Sequence, residues 1–174
     1  MAILKVARMG HPVLRAKARA IEHADIKGAV VQRLIDDMME TMEEYRGVGL
    51  AAPQVHEAAR LFVAVLTQGE DEESGEPIVF INPEIIRATQ DEVEDWEGCL
   101  SIPEVRGRVP RAREVKVRAY DRKGDRVELQ AHDFAARVIQ HETDHLDGVL
   151  FLDRMRSFET LTFLDEYARY WAKD

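Results

Sequence analysis

His141-Glu142-Thr143-Asp144-His145 constrains this chain more than any other stretch. Val138, Ile139 and Leu146 flank it at helical spacing, Asp133 stands where a helix can be capped and Gly148 where one can end, so the segment is predicted to be a buried helix. On that helix the two histidines share one face, and their imidazoles can grip one divalent cation. Glu142, beside the first of them, can take a proton from a water at the cation. Two histidines, a glutamate and an aspartate on a buried helix need partners, and a metal supplies them. The bland alternative is a solvated surface helix, where such a pair arises by chance. A catalytic metal site normally holds three protein ligands and one open position, so a third ligand is required. Cys99, the only cysteine, in Glu97-Gly98-Cys99-Leu100-Ser101, is the best candidate, although a lone cysteine is by default a small core hydrophobe.

The rest of the pattern describes an α+β chain. Ile26, Val30, Val31, Leu34, Ile35, Met38, Met39 and Met42 recur at three- and four-residue steps and predict an amphipathic helix over residues 25–45, with Gly47 as its left-handed stop. Segments rich in β-branched and aromatic residues predict strands at 61–66, 78–81, 84–88, 114–120 and 127–131. Asp121-Arg122-Lys123-Gly124-Asp125 reads as the turn of an antiparallel hairpin between the last two. Residues 69–77, acidic and punctuated by glycine and proline, read as an exposed loop. A last helix is expected over 157–172, with Phe158, Leu161, Leu164, Tyr167 and Trp171 on one side. No repeat, low-complexity tract or interior linker is present, and 174 residues suit one domain spanning 1–174.

Charge and cysteine usage narrow the partners. A net charge of −9 disfavours a nucleic-acid backbone or an anionic membrane, and no window approaches the apolar run of about 18 residues that a membrane span needs. One cysteine excludes an internal disulfide, and a free thiolate ligand fits a reducing, cytoplasmic setting. Residues 1–21 carry five basic residues and no acid, but they lack serine and the apolar core of a secretory signal.

A third segment, Gly47-Val48-Gly49-Leu50-Ala51-Ala52-Pro53-Gln54, has two readings. Its small residues suit a helix exit and tight turn; they equally leave room for an extended peptide backbone, with Gln54 offering a side-chain N–H to a developing oxyanion.

In this order, Gly47 to Gln54, Glu97 to Ser101 and Gln140 to His145 closely resemble the three signature motifs of the peptide deformylases. The likeness extends through Ile102-Pro103-Glu104, Val109-Pro110-Arg111, Gly148-Val149-Leu150-Phe151 and Pro12-Val13-Leu14-Arg15, and so along the whole chain. It implies antiparallel sheets around a central metal-binding helix, with an amino-terminal amphipathic helix and a carboxy-terminal helix. The activity it implies is hydrolytic removal of the N-formyl group from the initiator formyl-methionine of nascent polypeptides, with release of formate. Cys99, His141 and His145 would hold the metal, Glu142 would act as general acid/base, and Gln54 with the Leu100 N–H would form the oxyanion site. Val48, Gly49 and Gly98 would bind the peptide backbone, Val138 and the stem of Arg137 would line a methionine pocket, and Arg106 would lie near the later residues of the peptide. The donor set suits Fe2+, Zn2+, Ni2+ or Co2+, and the family likeness favours Fe2+ in the cell with another ion in purified protein. The partners implied are formyl-methionyl peptides and nascent chains, with transient ribosome contact. The segment from Ser157 does not match a basic docking helix, since Glu159, Asp165, Glu166 and Asp174 face only Arg169 and Lys173.

Two other functions compete. A metallopeptidase would draw its third ligand from downstream, but Phe151 stands where the extended H-E-x-x-H-x-x-G-x-x-H pattern needs histidine, which leaves Glu159 or Glu166. A non-catalytic peptide binder would have no use for the intact Glu142 and Gln54.

Overall fold

The computed structural model describes residues 2–67 and 75–172. In chain order the helices are α1 (Ala29–Glu44), α2 (Asp133–Leu146), α3 (Phe151–Arg154) and α4 (Leu164–Tyr170). The strands are β1 (Gly49–Ala51), β2 (Leu61–Ala64), β3 (Ile78–Ala88), β4 (Glu92–Cys99), β5 (Ile102–Ala112), β6 (Glu114–Tyr120), β7 (Arg126–His132) and β8 (Thr162–Phe163). Five strands form one sheet in the order β1-β2-β3-β6-β7, and β4-β5-β8 form a second, with every pair antiparallel. The architecture is α+β.

Period-two alternation explains how the larger sheet holds a helix on each face. Leu61, Val63, Val79 and Ile81 project to one side and meet Ile35, Met38 and Met42 of α1, while Phe62, Ala64 and Phe80 project to the other and meet Val138, Ile139 and Leu146 of α2. Phe62 and Phe80 stack with centroids 4.6 Å apart. Each large apolar side chain so buried contributes roughly 1.5–3 kcal/mol. Helix α2 also contacts β5, so it touches strands of both sheets. A third cluster, with Leu14, Ile102, Val109, Leu150 and Phe151, fills the space beside the smaller sheet.

Several expectations are corrected. Helix α1 begins at Ala29 rather than residue 25, behind a 3-10 turn at His23–Asp25, and Val30 of the expected apolar stripe is 83% exposed. Its left-handed stop is Arg46 (φ 54°) instead of Gly47; the Gly47 N–H bonds back to the Met42 carbonyl at 2.9 Å. A Cβ at 47 would stand 2.9 Å from Leu100 Cδ1, so a larger residue there would have to displace that side chain. The strands expected at 78–81 and 84–88 are one irregular strand, because Asn82 (φ 50°) leaves the ladder to exchange side-chain hydrogen bonds with the Ile21 backbone at 2.9 and 2.8 Å. Asp133 does not cap α2; it has φ 48° and its carboxylate pairs with Arg113. Gly148 (φ 72°) ends α2 as expected, with the Val149 N–H bonded to the Asp144 carbonyl at 2.9 Å.

The largest departure is at the carboxy end. In place of a helix over 157–172 there is a 3-10 turn (Phe158–Thr160), the short strand β8 and then α4. Thr162 and Phe163, β-branched and aromatic, suit an edge strand, and they pair with Arg106 and Val105 of β5. Of the loop expected at 69–77, all but residues 75–77 lies outside the described residues.

Candidate metal centre and its cleft

Helix α2 turns one face toward the β4–β5 turn. His141 and His145, with ring centroids 5.0 Å apart, thereby meet Cys99 at the end of β4. One donor atom from each of the three lies within 4.8 Å of the others, and Cys99 Sγ is 3.3 Å from His145 Nε2. Neither Glu159 nor Glu166 belongs to this group among the described residues; Glu159 is exposed and Glu166 pairs with Arg169.

The thiolate and two imidazoles form a donor set suited to a first-row divalent ion, and the side chains behind them are arranged accordingly. His141 Nδ1 donates to Glu97 Oε2 at 2.9 Å, which fixes the orientation of the ring in the site. Burial keeps the His145 imidazole neutral, as a metal ligand must be, and the nearby charges of His141 and Arg111 act in the same direction. Glu142 is buried beside these donors with Oε2 lacking any hydrogen-bond partner. Burial pushes its carboxyl up to about 7. A carboxylate without a partner next to three convergent ligand atoms fits a site built around a cation and its water.

Glu97 is the residue whose importance the sequence reading missed. Its carboxylate accepts from Arg111 Nε at 2.8 Å and Nη2 at 3.1 Å, from Arg137 Nη1 at 2.8 Å and from His141. Burial opposes its ionisation, but the hydrogen bonds and charges of His141 and Arg111 outweigh burial and hold it well below the usual carboxylate range. Arg111 continues the network to Asp144 at 2.6 Å, and Arg154 closes it on the same carboxylate at 2.8 Å. Asp144 therefore turns away from Glu142, as its place two residues along the helix demands. The ladder with β5 is irregular between Glu97 and Cys99, so strand alternation gives no sequence signal that would have placed the Glu97 carboxylate behind the histidines.

Gln54 sits in a 3-10 turn after β1. Its Oε1 accepts from the Ala51 N–H at 2.8 Å, which fixes the amide so that Nε2 points at Ser101 Oγ (3.2 Å) and Cys99 Sγ (3.6 Å). Gly49 lies against the Glu142 carboxyl; a Cβ there would stand 2.7 Å from Cδ and closer still to Oε1. A cleft of about 1260 Å3 opens over these groups. Gln54, Cys99, Leu100, His141 and Glu142 line it, as do Val48, Gly49, Gly98, Arg106, Arg137 and Val138. His145 alone of the sequence-predicted residues does not; it is 1% exposed, behind the others. Arg137 lines the cleft, but its guanidinium turns inward to Glu97 and the carbonyls of Val93 and Val109, so its charge belongs to the buried network. No described helix is long and apolar enough to cross a membrane.

Comparison with known proteins agrees with this geometry. A family model described as polypeptide deformylase matches residues 3–160. A peptide deformylase from Salinibacter ruber is 47% identical over 163 residues, 90% of this chain and 82% of the relative. Peptide deformylase 2 from a Nostoc species is 41% identical over 99% of this chain and 97% of its own length. Among solved structures, peptide deformylase from Thermotoga maritima superposes with a TM-score of 0.82 at 38% identity, covering 90% of this chain and all of that one. A class I type b peptide deformylase from Acinetobacter baumannii, bound to Met-Ala-Ser, gives 0.83 at 36% identity over 88% of this chain and 99% of that one.

Proposed function

Because the chain belongs to the peptide deformylase family, hydrolases that remove the N-formyl group from the amino-terminal methionine of nascent chains, we propose a division of that reaction among its residues. Cys99, His141 and His145 hold one divalent ion, Fe2+ in the cell, with Zn2+, Ni2+ or Co2+ able to replace it in purified protein. When bound, the ion supplies Lewis acidity that acidifies the attacking water and polarises the formyl carbonyl. Glu142 takes the water's proton as its oxygen attacks the formyl carbon and later delivers a proton to the departing methionine amine. Gln54 Nε2 and the Leu100 N–H donate to the oxygen that gains charge, and one such donor is typically worth roughly 3 kcal/mol in the transition state.

Val48, Gly49 and Gly98 bind the peptide backbone at the cleft edge, and Val138 with the Arg137 stem lines the methionine pocket. Arg106 meets the peptide beyond its first residues, where a chain such as the Met-Ala-Ser bound by the Acinetobacter relative would extend. Residues 1–174 act as one domain, with α2 as the metal-binding helix at its centre, on nascent chains in the cytoplasm. Ribosome contact is transient, and Asp165 and Glu166 in the first turn of α4 do not suit docking through a basic carboxy-terminal helix.

The observation that carries this assignment is the convergence of three ligand atoms beside the unpartnered Glu142 carboxylate. Elemental analysis of anaerobically prepared protein tests it. The wild type should carry one iron per chain, and Cys99→Ala should lose stoichiometric metal while keeping its circular dichroism. Full metal in Cys99→Ala, with loss in a Glu159 or Glu166 variant, would refute the ligand set.

A further inference from the structure

Helix α4 reaches the outer cleft through Leu164, and its next inward turn meets Arg106. Arg106 lies on β5 opposite Thr162 of β8, and its stem runs along Gly98, where an added Cβ would stand 3.6 Å from Cγ and 3.7 Å from Nε. The guanidinium lies over the Tyr167 ring, 5.1 Å from its centroid. Trp96 meets that ring edge-on at 4.9 Å and Trp171 at 5.5 Å, while Arg108 covers Trp96 at 5.8 Å. Tyr167 is thus held by an aromatic cluster drawn from β4 and α4. Among the described residues the Arg106 guanidinium has no hydrogen bond or ion pair, so its contact with Tyr167 is what orders it. A ring attracts the cation through its face and leaves the in-plane N–H groups available to a ligand.

We propose that Tyr167 is a positioning residue: it fixes Arg106 at the cleft rim so that the guanidinium binds carbonyl or carboxylate oxygens of the peptide from the third residue on, and α4 thereby sets a preference for longer, acidic peptides. Lys5, Arg8 and Arg46 line the same cleft, but so do Asp95, Glu104 and Asp133, so the preference for carboxylates rests on the positioned Arg106 guanidinium and not on the charge of the cleft as a whole. The inference rests on the assignment of Arg106 to the peptide beyond the methionine.

Formate release from formyl-Met-Ala-amide and from formyl-Met-Ala-Ser-Glu, measured for the metal-loaded full chain, tests it. Tyr167→Ala should raise KM for the tetrapeptide about three- to tenfold with kcat held, and leave KM for the short amide where it was. Tyr167→Phe, which keeps the ring, should behave as the wild type. Equal KM increases for both peptides in Tyr167→Ala, or no increase for either, would overturn the proposal, as would a Tyr167→Phe variant that matches Tyr167→Ala. Arg106→Ala separates the two layers. If it leaves the tetrapeptide KM unchanged, the assignment of Arg106 fails; if it raises that KM and Tyr167→Ala does not, only the positioning role fails.

Discussion

Glu97→Gln should destabilise the protein and loosen its metal together. The wild-type carboxylate, with its side chain 4% exposed, neutralises two buried guanidinium groups and accepts four hydrogen bonds, including that of His141. Glutamine keeps one acceptor oxygen and sets an NH2 donor against donors from Arg111 or His141. Removing one partner of a buried ion pair costs about 3–5 kcal/mol. Arg111 retains Asp144 and Arg137 retains the carbonyls of Val93 and Val109, which places the loss at the lower end. At about 2–4 °C per kcal/mol for a chain of this length, a 3 kcal/mol loss lowers Tm by roughly 6–12 °C. Thermal and urea unfolding of chelator-treated wild type and variant at pH 7, followed by circular dichroism, isolates this term from metal loss. Competition with a chromogenic chelator should then show metal affinity reduced roughly 10- to 100-fold, because His141 loses the acceptor that orients its ring. A stability change under 1 kcal/mol, or unchanged metal affinity, would refute the network as described.

Gly49→Ala should retain fold and metal but displace Glu142, whose carboxyl occupies the space a Cβ needs; kcat/KM should fall about 100-fold, as for a catalytic group moved by about 1 Å, and a near-wild-type rate would contradict the contact. Asp153→Asn isolates a pH-dependent term, since asparagine still accepts from the Leu150 N–H but loses the charge facing Arg15. The hydrogen bond from Arg15 holds the Asp153 carboxyl below its ordinary value, so its stabilisation is present above the ordinary carboxylate range and vanishes as pH falls through the lowered pKa. The pair is about half exposed, so solvent limits the difference between wild type and variant to about 0.5 kcal/mol at pH 7, falling toward zero as the pH drops through the lowered pKa; a difference that grows on acidification would reverse the sign.

Helix α2 was legible because the candidate ligand pattern and the helical periodicity coincide in the same six residues, from Gln140 to His145, with Gly148 marking the end. The hairpin at Asp121 to Asp125 was legible for a similar local reason, and the Asp121 carboxylate bonds the N–H groups of Lys123 and Asp125. Strands β1, β4 and β5 were not. In β4 the exposed positions are Glu92, Glu94, Asp95 and Gly98, and β5 contains Pro103, Gly107 and Pro110, so neither has the composition of a strand; their long mutual ladder supplies what local propensity does not. The carboxy-terminal segment misled because Phe158, Leu161, Leu164, Tyr167 and Trp171 fit helical spacing, although pairing of Thr162 and Phe163 with β5 interrupts the helix. At the site, motif residues identified the groups facing the cleft. Buried partners such as Glu97 and Arg111 could not be weighed, because their roles depend on which strands lie behind the histidines.

The most direct test of the account is Glu142→Gln, which preserves size and removes the proton shuttle. Formate release from formyl-Met-Ala-Ser, measured with metal content determined on the same samples, should fall by roughly two to four orders of magnitude while metal content and fold stay intact. A fully metallated Glu142→Gln protein that deformylates this peptide at near the wild-type rate would show that Glu142 is not the acid/base, and the assigned mechanism would be wrong.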